Sequence, residues 1–159
     1  MKIKETVGLI AGIIGIIAGT LAIKNTLSKQ VIPRVDGNWI LTFEVFNSSS
    51  QRYMDGNLSY SYNIFLTQNA EKVNGTGEKI REMFNQKETE YTGQQKTPIE
   101  ISGSIDIKRL SATIKEFGLK RESTGLIEFS ITDLEDGEAE GTFSTSAGNS
   151  SGKATIRKI

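Results

Sequence analysis

"LSYSYNIFLTQ", residues 58–68, puts Leu58, Tyr60, Tyr62, Ile64 and Leu66 at every second position. Successive side chains of an extended chain point to opposite faces, so this spacing predicts a β-strand with one buried face. The pattern recurs on both sides of the stretch. Upstream, "NWILTFEVF" (38–46) lines up Trp39, Leu41, Phe43 and Val45. Downstream, "PIEISGSIDI" (98–107) lines up Ile99, Ile101, Ile105 and Ile107, followed by "LSATIKEF" (110–117), "GLIEFSIT" (125–132), "AEGTFSTS" (139–146) and "GKATIRKI" (152–159). Turn signals stand at Asp36-Gly37, Asp55-Gly56, Asn74-Gly75 and Asp136-Gly137. "EKVNGTGEKI" (71–80) reads as a weaker strand or hairpin. The polar "REMFNQKETEYTGQQK" (81–96) reads as a long loop or a short helix.

Short antiparallel strands, about eight of them by this pattern, must hide their edges by closing or by forming two sheets. The expected fold is mainly β: a small eight-stranded antiparallel up-and-down barrel, whose interior holds side chains or one small ligand. Gly103, Gly141 and Gly152 fall inside strand patterns, where tight barrels bend.

The chain of 159 residues has 19 basic and 19 acidic side chains, which argues against a nucleic-acid polymer as partner. It has no Cys and no His. Thiol chemistry, disulfides and Ser-His or Cys-His nucleophile pairs are therefore excluded, as are zinc sites built on those residues. No cofactor is implied and an enzyme is the least favoured class. The carboxylates scatter to the outer face if alternation holds. "DLEDGEAE" (133–140) lacks the spacing of a calcium loop and reads as a solvated turn.

Residues 1–30 break the pattern. "VGLIAGIIGIIAGTLAI" (7–23) carries no charge and is flanked by polar "MKIKE" and "KNTLSKQ". The apolar run from Thr6 to Ile23 comes just short of a hydrocarbon core of about 30 Å, and Lys4 and Lys24 can snorkel to complete it. The expectation is an uncleaved single-pass transmembrane helix over 1–30 joined to a sensing barrel over 31–159. The alternative is a signal peptide cleaved after Ala22. At ~100° per residue, Gly8, Gly12, Gly15 and Gly19 fall with Ala11, Ala18 and Ala22 inside an arc of about 120°. Small residues on one face let helix backbones approach closely in lipid, so that face predicts self-association. The basic residues near the two ends lean slightly towards a cytoplasmic barrel.

Candidate ligand contacts are few. Tyr60 and Tyr62 share the inward face of their strand and offer stacking surface and hydroxyls. Lys120 and Arg121 sit in the turn "GLKRES" (118–123), where a phosphate at the barrel mouth would meet them. Arg52 and Tyr53 precede the Asp55-Gly56 turn and carry the same reading.

Two resemblances follow from these residues. Gly37-Asn38-Trp39 in the first strand with Arg157 in the last resembles calycin barrels such as lipocalins, fatty-acid binders and avidins. That resemblance implies a first-strand Trp across the barrel base with a basic residue over its ring. The leader, the Gly-x-Trp strand, "IFLTQNAEKVNGTG" (64–77) and the closing "AEGTFSTSAGNSSGKATIRK" (139–158) together look like membrane-anchored β-strand-rich effectors of bacterial anti-phage signalling. That second resemblance implies a barrel sensing a cyclic oligonucleotide and membrane helices that assemble to disrupt the inner membrane. The expected partners are then the bilayer, other copies of the chain, and a small ligand of the cyclic-nucleotide class. The rival expectation is an exported or surface-tethered lipocalin-like carrier of a small hydrophobic ligand. A third is a structural subunit with a filled lumen.

Overall fold

A computed structural model describes residues 32–50, 57–119, 121–134 and 136–159. The anchor expected over 1–30, with Gly8, Gly12, Gly15 and Gly19, lies outside the described residues, as do Arg52, Tyr53 and Lys120. Among the described residues no helix is long and apolar enough to cross a membrane.

The described chain forms nine strands: β1 (Gly37–Asn47), β2 (Leu58–Asn69), β3 (Lys72–Phe84), β4 (Lys87–Glu90), β5 (Pro98–Ile105), β6 (Arg109–Phe117), β7 (Glu122–Ser130), β8 (Glu138–Thr145) and β9 (Ser150–Lys158). All pairings are antiparallel, and β1 pairs with both β2 and β9, which closes the sheet. β4 and β5 both pair with β3, β4 along its last residues and β5 along its first, so together they fill one position in an eight-position barrel. Among the described residues closure leaves only the short β4 with a free edge, and that edge is charged and exposed, which discourages pairing with another sheet.

Alternation places the core as expected. Trp39, Leu41 and Phe43 of β1 are buried, as are Leu58, Tyr62, Ile64 and Leu66 of β2. Trp39 marks the base of the barrel. Its indole N–H donates to the Val35 carbonyl at 2.9 Å, and Val35, Ile105, Leu110 and Phe129 are buried in the same core. A single helical turn, α1 (Ile131–Leu134), brings buried Ile131 and Leu134 to this end. It precedes the turn at Gly137, whose φ of +80° suits glycine, so "DLEDGEAE" is part apolar plug and part turn.

Several segments depart from the expectations. Asn74-Gly75 is no turn: it lies inside β3, and the β2–β3 turn is made at Ala70, φ +53°. Gly75 and Gly77 face inward instead, where a Cβ would press on Leu66 and Ile64. Residues 81–96 are neither a long loop nor an α-helix. They hold the end of β3, a two-residue turn at Asn85 and Gln86 (φ +49° and +67°), β4 and a 3₁₀ turn, Gly93–Gln95. Positive φ at both turn residues matches the twist of a hairpin. Ile107 leaves its strand early, because the Asp106 carboxylate caps a tight turn by accepting from the amides of Lys108 and Arg109 at 2.6 and 2.9 Å.

Gly103, Gly141 and Gly152 do lie where strands crowd. A Cβ on Gly152 would run into the carbonyl oxygen of Glu44, and one on Gly141 into that of Glu128.

Candidate functional site: a polar cavity at the barrel mouth

The end opposite Trp39 is hollow. A cavity of about 480 Å³ opens there, within the size range of small-molecule sites. Its apolar wall includes Phe43, Ile114 and Phe143; the rings of Phe43 and Phe143 stack at 4.4 Å. Its polar wall is a cluster that alternation alone does not bring together.

A bulge builds that cluster. Across β2 and β3 the register runs Ser61 to Arg81 and then Tyr62 to Lys79, leaving Ile80 as the extra residue. Before the bulge the odd residues of β3 face inward, Val73 through Lys79; after it the even residues do. Lys79 and Glu82 therefore both line the cavity although they are three residues apart. Lys79 is 9% exposed, so its ammonium needs compensation. Its Nζ lies 3.1 Å from Glu116 Oε1 on β6 and 4.1 Å above the centroid of the Tyr60 ring. The second oxygen of Glu116 accepts from the Tyr62 hydroxyl at 2.9 Å. Burial, and then the Glu116 charge, push the Tyr62 phenol well above its ordinary value of 10.0. Beside this cluster the Tyr91 hydroxyl donates to Glu82 at 3.0 Å. The strand break between β4 and β5 holds the rim: the Tyr91 amide donates to Ile80 and the Lys79 amide to Thr97.

Of the expected ligand contacts, Tyr60, Tyr62 and Arg121 converge on this cavity. Arg121 stands at its mouth, exposed, with no acidic partner among the described residues. Lys79, Glu82, Tyr91 and Glu116 also line it and were not expected. Glu116 was legible: it shares its parity in β6 with Leu110, Ala112 and Ile114, so the expectation that carboxylates face outward fails at this residue. Glu82 was not, because a bulge leaves no mark in the pattern. A filled lumen, the condition for a purely structural barrel, is not what these residues form.

The base carries a second correction. The cation over Trp39 is Lys158, its Nζ 5.4 Å from the ring centroid, and not Arg157. Trp39 pairs with Lys158 in register, whereas Arg157 pairs with Ile40. Inward Ala154 and Ile156 set the parity, and it reaches Lys158.

Comparison of the chain with protein-family models, with curated proteins and with solved structures yields no match, so its function is read from this geometry and from the sequence.

Proposed function

We propose that this chain is a membrane-anchored β-barrel effector, a binding module and not an enzyme. Its lumen senses a small ligand of the cyclic-nucleotide class, and its leader associates with other copies to disrupt a bacterial inner membrane in anti-phage defence. The observation that carries the reading is the cavity of about 480 Å³ with aromatic walls, an internal cation at Lys79 and a second at its mouth, Arg121. Aromatic surfaces suit a nucleobase, and a guanidinium matches a phosphate in charge and geometry. The leader half of the proposal rests on sequence: an uncharged run over 7–23 and small residues gathered at Gly8, Gly12, Gly15 and Gly19. In this arrangement the chain spans the inner membrane once, with the barrel in the cytoplasm.

The test uses full-length protein in dye-loaded liposomes. Cyclic nucleotides are expected to raise its melting temperature and to release dye, and Gly12→Leu with Gly15→Leu to abolish release while leaving the thermal shift. Absence of both responses for every cyclic nucleotide tried overturns the reading.

The apolar inner wall of Phe43, Ile114 and Phe143 favours one other reading, a lipocalin-like carrier of a small hydrophobic ligand. Mass determination of the mature protein separates the two. A chain beginning after Ala22 has lost its anchor and is the carrier.

A further inference from the structure

We propose that the polar pair at the centre of the cavity, Lys79 and Glu116, reads the edge of a guanine base. The inference rests on the nucleotide reading above and names the base. Lys79 Nζ and Glu116 Oε1 lie 3.1 Å apart and both face the cavity, so the wall presents a donor beside an acceptor. Lys79 carries three protons and Glu116 two oxygens with about four lone-pair positions between them. The contacts within the cluster, to each other and from the Tyr62 hydroxyl, leave both groups with unused capacity. The side chains remain 11% and 23% exposed, which is the face a ligand meets.

A guanine edge has the complementary order: a carbonyl oxygen, then a ring N–H, then an exocyclic NH₂. The carbonyl accepts from Lys79, and the two N–H groups donate to Glu116. Adenine has the reverse order, an exocyclic NH₂ beside an unprotonated ring nitrogen. Turned over, adenine can still set its ring nitrogen on Lys79 and its NH₂ on Glu116, but its edge holds no second N–H for the carboxylate. The second N–H to a charged, partly buried acceptor is therefore what favours guanine over adenine. The frame is stiff: the Tyr60 ring holds the ammonium from one side, and the Tyr62 hydroxyl fixes the carboxylate. The phosphate end then lies towards Arg121 at the mouth.

Isothermal titration of the full-length protein in nanodiscs with cyclic GMP, cyclic IMP and cyclic AMP tests this. Cyclic GMP is expected to bind tightest, cyclic AMP about 10- to 100-fold weaker, and cyclic IMP, which lacks the exocyclic NH₂, in between. Glu116→Gln is expected to weaken cyclic GMP about tenfold or more and cyclic AMP less, because the amide keeps one acceptor and loses the one that only guanine uses. The wild-type series decides the matter if that variant fails to fold. Cyclic AMP binding as tightly as cyclic GMP overturns the base assignment and leaves the nucleotide reading standing. No binding of any of the three, nor of cyclic di-GMP, cyclic GMP–AMP and cyclic di-AMP titrated beside them, overturns both.

Discussion

The Tyr62 hydroxyl donates across the lumen to Glu116 at 2.9 Å, joining β2 to β6, two strands that share no backbone ladder. This bond and the Lys79–Glu116 ion pair are the polar braces of a barrel end that is otherwise hollow.

Tyr62 makes the fold sensitive to alkali. Its pKa is raised in the folded state, by burial first and by Glu116 second, so the native protein holds the phenol proton more tightly than the unfolded chain. The resulting stability is complete below the unfolded value near 10.0 and is lost as the pH rises beyond it. Denaturation followed from neutral to strongly alkaline pH is expected to show a steeper loss for wild type than for Tyr62→Phe. At neutral pH that substitution costs about 1.5–3 kcal/mol, the worth of a hydrogen bond to a charged group.

The Lys79–Glu116 pair is predicted to be coupled. Lys79→Met alone strands a half-buried carboxylate and is expected to cost about 2–3 kcal/mol, below the ~3–5 kcal/mol of a fully buried pair because Glu116 keeps some water. Lys79→Met with Glu116→Gln removes both charges and is expected to cost less than the sum of the single changes. A double-mutant cycle by chemical denaturation measures the difference; strict additivity would refute the coupling.

At the base, Lys158→Met is expected to cost about 0.5–1 kcal/mol through loss of the cation over Trp39, and Arg157→Met less than about 0.5 kcal/mol. Trp39 is the single tryptophan, so its fluorescence follows unfolding in both variants without a label.

Gly152→Ala is predicted to destabilise by about 1–3 kcal/mol, because its Cβ meets the Glu44 backbone carbonyl, which cannot turn aside as a side chain does. Gly93→Ala tests a different cause. Nothing lies near the new Cβ, but φ is +53°, so only backbone strain acts there and a smaller loss of melting temperature is expected.

The acid side has its own check. The Asp106 carboxyl is held below 3.8 by the amides of Lys108 and Arg109. Its contribution is therefore present above the ordinary carboxylate range and disappears as the pH falls through the lowered value. Wild type and Asp106→Ala are expected to differ in melting temperature at neutral pH and to converge in strong acid.

Alternation by itself determined most of the buried face of β1 and β2, from Trp39 to Leu66, and that the strands had to close or to form two sheets. That signal is local, because each side chain's face depends only on its position along an extended chain. Parity also pointed to Glu116 and Lys158, whose charges alone suggested the surface. Only the tertiary structure decided the rest. The bulge at Ile80 turns β3 over, so Lys79 and Glu82 face the same cavity. Gly75, which reads as a turn with Asn74, is instead space for Leu66 on the neighbouring strand, as Gly77 is for Ile64. Register between strands distant in sequence is a property of the closed sheet, and it brings Tyr62 of β2 to Glu116 of β6.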